Sequence, residues 1–180
     1  MEEKIVFTIT TGSSNCTKTE SQMNKSPIQF NGLARGMTSD IFALARAFLA
    51  ISEMTNKKLQ KMCYYAKAWY LALYDRNIVD AQFQAWVHGA VQPELYFQYR
   101  RYGFGLIPKV NSTSDVPEEF LSFAKEIYES YGHLTGDELE QLNHQEEPWI
   151  KARGNRRPWE NCSTIISEED MKQFYREMMN

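Results

Sequence analysis

Apolar residues recur at steps of three and four through most of this chain, the spacing of helices with one buried stripe. The longest such run holds Leu59, Met62, Cys63, Ala66, Trp69, Tyr70 and Leu73. Thr55 can cap its start, because a hydroxyl oxygen accepts from an orphan backbone N–H, and Asp75-Arg76-Asn77 ends it in polar turn residues. An earlier helix is predicted over residues 39–53, with Ile41, Leu44, Ala45, Phe48 and either Leu49 or Ile51 inward. Thr38 or Ser39 is its expected cap, with Asp40 near the positive end of its dipole.

After the long helix, Ile78-Val79 and residues 84–87 are short and partly apolar, so they allow extended segments. Gly89 interrupts the pattern. Pro93 suits the first turn of a third helix over residues 93–102, which offers Leu95, Tyr96, Tyr99 and Tyr102 for burial and stops at Gly103. Residues 104–114 read as a loop, in which Pro108 permits at most an edge strand. Asp115-Val116-Pro117-Glu118-Glu119 starts the next helix, with Phe120, Leu121, Ala124, Ile127, Tyr128 and Tyr131 available to the core and Gly132 as its stop. Thr135 and Glu138 have capping-box spacing, followed by Leu139 and Leu142. Pro148 restarts a short helix with Trp149, Ile150 and Ala152. Residues 153–161 form a polar loop, and Ile165-Ile166 can pair as a brief strand. Ser167 caps a last helix with Met171, Phe174, Tyr175 and Met178 inward. The expected fold is mainly α: about six helices around a central aromatic-rich helix, with one or two short β segments.

Residues 1–36 differ from the rest. They are rich in Ser, Thr, Asn, Gly and Lys, and only IVFTITT alternates, as an edge strand would. The remainder lacks the apolar surface to offset its ordering entropy. The sequence therefore divides into a polar extension, 1–36, and one domain, 37–180. A content of 43% hydrophobic residues in 180 fits a globular domain of that size. No apolar run approaches the roughly 18 residues that span a membrane, and no signal-type stretch follows the acidic start. Cys16, Cys63 and Cys162 are an odd number at wide spacing, which points to reduced thiols and a cytoplasmic location.

The net charge of −3 hides segregation. Residues 57–109 carry eight Lys/Arg against three Asp/Glu, and residues 115–147 carry one against ten; residues 149–158 add four further cations. The pattern fits either solvated helix faces of differing sign or two surfaces that orient a protein partner. On the second reading Lys61, Arg100 and Arg101 are candidate partner contacts. The rings of the long helix cover more than one of its sides, so the helix is either fully buried at the domain centre or offers some rings, such as Tyr65, to a partner. Four lysines on that helix make only a weak case for nucleic acid. His88, His133 and His144 show no metal-ligand spacing, and there is no Cys-x-x-Cys, nucleophile elbow or phosphate loop. No catalytic residue, metal or cofactor is assigned. Cys63 sits on the apolar stripe as a small core residue. His144 beside Glu146 and Glu147 leaves a hydrolase as one alternative. The structural reading has His144 bonded to a backbone carbonyl and Trp149 plugging the core.

KLQKMCYYAKAWYLALY, AWVHGAVQPELY and LNHQEEPWIKAR follow one another in this order. Together they resemble the Panacea antitoxin domain, also called SocA-like, across roughly residues 38–175. The family usually has proline after the glycine of the second motif and an apolar residue before its second proline; here Ala90 and Gln92 occupy those places. The resemblance implies a protein-interaction module rather than an enzyme. Its members neutralise a co-encoded toxin by direct binding, as type II systems often carried by prophages and other mobile elements. The expected partner is a cognate toxin protein. A role for some members as adaptors that deliver a partner to a protease is the alternative. Trp69, Trp86, Gly89, Pro93, His144, Pro148 and Trp149 are then structural motif positions.

Overall fold

The computed structural model describes residues 40–179. Asp40 opens helix α1, Ile41–Ile51, its carboxylate accepting from the Phe42 N–H at 2.9 Å. The cap is therefore one residue later than expected; Thr38 and Ser39, like IVFTITT and the rest of the polar extension, lie outside the described residues. Strand β1, Met54–Thr55, leads directly into α2, Asn56–Tyr74, which Thr55 caps through the Lys58 N–H. Asp75 ends α2 in the left-handed conformation at φ 58°.

Strands β2, Gln84–Trp86, and β3, Gly89–Val91, form an antiparallel hairpin with Trp86 opposite Gly89. Gly89 thus starts a strand rather than merely interrupting one: its φ of +91° turns the chain out of the Val87-His88 loop, a conformation glycine adopts without steric cost. Helix α3, Pro93–Tyr99, follows with Pro93 in its first turn. The helix predicted to reach residue 102 tightens after Tyr99 into one 3-10 turn, Arg100–Tyr102. Strand β4, Leu106–Ile107, pairs with β1, so the proline-limited loop does contribute an edge strand.

Four helices complete the described chain: α4, Glu118–Tyr131; α5, Gly136–Asn143; α6, Glu147–Arg153; and α7, Glu168–Glu177. The Thr135–Glu138 capping box of α5 forms in both directions. Ser167 caps α7, and Ile165-Ile166 extends the hairpin: the Ile166 N–H donates to Phe83 O at 2.8 Å and the Ala85 N–H to Thr164 O at 2.9 Å. Met178 is the exception among the residues expected inward on α7, being 43% exposed.

With seven α-helices among the described residues, the fold is mainly α, and α2 is its axis. Helices α1, α4, α5 and α7 and strand β3 all pack on it. Every residue from Leu59 to Ala72 is buried, so this stretch of α2 has no solvent face, and only the ends of the helix, at Lys57, Lys58, Leu73 and Tyr74, reach the surface. That arrangement explains why its aromatic rings point several ways. Tyr65 stacks on Tyr131 of α4 with centroids 4.3 Å apart, and Trp69 meets Tyr175 of α7 edge-on. The Trp69 indole N–H donates to the Tyr131 hydroxyl at 2.8 Å, which removes the cost of burying both polar ends. Cys63 lies in the same core.

Candidate functional site

A helix buried on all sides must also bury its polar residues, and a buried polar group needs partners. Lys61 and Lys67 of α2 solve this in different ways. Lys67 Nζ donates to Ala81 O at 2.6 Å and Val79 O at 3.3 Å, and pairs with Glu168 at 2.5 Å. It thereby ties the segment before the hairpin to the start of α7. Lys61 Nζ donates to Ala90 O at 2.9 Å, on the edge of β3 that no strand covers among the described residues.

The rest of that edge is satisfied by side chains too. Asn143, at the end of α5, accepts from the Ala90 N–H at 2.6 Å and donates to Glu146 at 2.8 Å. Gln60 of α2 accepts from the Gln92 N–H at 2.8 Å. The Gln92 side chain in turn caps α3 by accepting from the Leu95 N–H at 2.6 Å. Lys61, Gly89, Asn143 and Glu146 thus form one buried polar cluster between α2, the hairpin and the α5–α6 turn.

Its electrostatics follow from burial. Loss of solvation lowers the Lys61 ammonium to about 7, against the pull of Glu140 and Glu146. The same loss raises the Glu146 carboxyl to about 7, partly opposed by Asn143, Tyr175, Tyr65 and Lys61. The hydroxyls of Tyr65 and Tyr175 face this carboxyl closely enough to favour its charged form, though both lie outside strict hydrogen-bond geometry. Burial, with the Glu146 charge next, holds the Tyr64, Tyr65 and Tyr175 phenols protonated. The cluster locks three segments together.

Each of those three segments contains one of the sequence motifs. A family profile described as antitoxin SocA-like, Panacea domain, matches residues 59–150, just over half of the chain. The chain belongs to this family. No curated protein and no solved structure matched it.

The structure places the motif residues of the Panacea domain unevenly. Trp69, Gly89, Pro148 and Trp149 are buried, and Pro93 opens α3. Trp86, flanked like Trp69 by apolar neighbours in the densest aromatic stretch, is only half-buried; it packs edge-on against Tyr96 and donates its indole N–H to Gln84. His144 stacks on Trp149 at 4.3 Å, and burial, foremost, pushes its imidazole below the usual range. The hydrolase reading needs His144 joined to a carboxylate. Instead Glu146 bonds Asn143 inside the core and Glu147 pairs with Lys151 on the surface.

Among the expected partner contacts, Lys61 and Tyr65 are buried at 1% and 0% exposure. The physical reason is that α2 is the axis of the fold, so neither side chain reaches the surface. Arg100 and Arg101 are exposed on the 3-10 turn, their guanidinium groups 5.2 Å and 5.1 Å from the Phe97 and Tyr102 ring centroids. Neither forms an ion pair among the described residues. Phe97 beside them is 53% exposed and Phe104 fully so. Charge segregation also proves partly internal: Lys57 pairs with Asp137 at 2.7 Å and Glu140 at 2.6 Å, joining the basic region to the acidic one.

Sequence reasoning missed Asn143, Gln60 and the paired role of Lys67. Their signal was weak: two lysines and a glutamine within a helix whose aromatic residues leave no plainly polar side.

The departures from the usual family pattern have a use here. Proline in place of Ala90 would have no N–H for Asn143, and Gln92 supplies both the N–H that bonds Gln60 and the cap of α3.

Proposed function

We propose that this protein neutralises a co-encoded toxin by binding it directly, as the antitoxin of a type II system, and that it does so without turning over a substrate. The domain at residues 37–180 carries this activity in the cytoplasm, with the polar extension outside it, and the gene for the toxin lies beside its own on a prophage or similar mobile element. The observation that carries the reading is the surface at α3 and the 3-10 turn. Among the described residues Arg100 and Arg101 have no carboxylate partners, and they stand beside the exposed rings of Phe97 and Phe104. Arginine and aromatic residues dominate the binding energy of protein interfaces, and unpaired charge speeds encounter with a partner of opposite sign.

The test is co-expression with the product of the adjacent gene. Wild-type protein restores growth, and the complex elutes as one species. Reversing Arg100→Glu with Arg101→Glu slows association, with a smaller effect on dissociation, and raised salt slows the wild type in the same way. Growth rescue and association unaffected by the double reversal would count against this surface.

A further inference from the structure

A second surface, at the end of α6, is built for the same kind of contact. Arg153 is buried, and its guanidinium donates to Ala85 O on β2 and to the carbonyls of Arg157, Pro158 and Glu160 at 2.8–3.3 Å. One side chain therefore fixes the loop after α6 against the hairpin. The loop is held in shape before any partner arrives, which lowers the entropy cost of binding.

Between α6 and this loop lies an open cleft of about 320 Å³, with Trp149, Ile150 and Pro158 as its apolar walls and Arg156 on its side. That volume is at the lower end for ligand pockets and suits one large side chain. Beside it, Trp159 is 71% exposed with the Arg157 guanidinium 5.9 Å from its ring, and Ile150 is 46% exposed. Arg153, Arg156 and Arg157 form no ion pair among the described residues, whereas nearby Lys151 is neutralised by Glu147 and Asp170. The rim thus carries three arginines against one loop carboxylate, that of Glu160, which accepts from the Arg157 backbone N–H at 3.4 Å rather than pairing with a guanidinium, around an apolar floor and an exposed indole.

We propose that this cleft seats an acidic segment of a partner protein. One aromatic or large aliphatic side chain enters against Trp149 and Pro158, neighbouring Asp or Glu residues pair with Arg156 and Arg157, and Trp159 covers the seated side chain. Arginine suits this task because its planar fork meets a carboxylate with two parallel hydrogen bonds. The inference rests on the reading of the domain as a protein-binding module. It adds a site, distinct from the Arg100–Arg101 surface, and a partner chemistry.

The experiment pans a displayed random-peptide library on the full chain and counter-selects on two variants, Trp159→Ala and Arg156→Glu with Arg157→Glu. All three side chains are exposed, and unchanged melting confirms that the variants fold. The expected result is a consensus with an aromatic or large aliphatic residue next to Asp or Glu, binding at least tenfold more weakly to each variant and more weakly as salt rises. Absence of a consensus that separates wild type from the variants overturns the proposal, as does a basic or uncharged consensus. Oligothymidine binding to the wild type and lost in the same variants also overturns it, in favour of a nucleic-acid face. The readout involves no toxin, so failure of neutralisation by direct binding leaves it standing and its own failure leaves neutralisation standing.

Discussion

Gly89 lies against the end of the Lys61 side chain: a Cβ at residue 89 would sit 2.7 Å from Lys61 Cε and 2.8 Å from its Nζ. The same Cβ would lie 2.8 Å from Asn143 Oδ1, and the backbone at φ +91° is one that side chains with a Cβ rarely adopt. Gly89→Ala therefore strains the turn by about 1–3 kcal/mol and displaces the two groups that satisfy the edge of β3. The expected outcome is a clear drop in the denaturant midpoint of unfolding. A midpoint equal to that of the wild type would mean that the hairpin is not held as described.

Glu146 gives stability a pH dependence whose sign is fixed. Its carboxyl is raised from an ordinary 4.5 to about 7, so the folded protein holds this proton more tightly than the unfolded chain does. That contribution is complete below the unfolded value and is lost as pH rises through about 7. Lys61 runs the other way: its ammonium is lowered from 10.5 to about 7, so its contribution grows above about 7. Glu146→Gln should thus gain stability relative to wild type as pH is raised from about 5 to about 7. Denaturant melts at both ends of that window measure the difference. A constant difference would show that Glu146 does not titrate in the core.

The two tryptophans of the central stretch should behave differently. Trp69 is 3% exposed and bonded to Tyr131, so Trp69→Ala should cost about 3–5 kcal/mol, a large share of a domain's stability. Trp86 is half-buried, and Trp86→Ala should cost distinctly less. Thermal melts of both variants decide this, and equal losses would contradict the burial described.

Lys67→Met tests the second buried cation. The substitution keeps most of the side-chain volume but leaves the Val79 and Ala81 carbonyls without their donor and Glu168 without its cation, bonded only to the Asn77 amide. Unsatisfied buried acceptors cost about 1–3 kcal/mol, and the effect should appear as a faster unfolding rate. An unchanged rate would place the ammonium elsewhere.

The helices were legible in the sequence because each is a local matter. Stripes such as Phe120, Ala124, Ile127 and Tyr131 repeat at helical spacing, and Thr55, Thr135 and Ser167 each cap the helix that follows within three residues. The ordered motifs carried the family in the same way. Tertiary structure alone decided which side chains were inside. Lys61 looked available for a partner as part of a basic region, and the rings on several sides of α2, Tyr65 among them, allowed either burial or a partner. Their burial follows from the helices and strands that meet on α2 from all around it, which no periodicity within α2 can report. Gly89 was legible as a break but not as the first residue of a strand, because that strand's outer edge is completed by Lys61 and Asn143, 28 residues before it and 54 after it. The positive rim at Arg156 and Arg157 was visible as a run of charge. That it frames a cleft depends on one long-range contact, from the buried Arg153 to the carbonyl of Ala85.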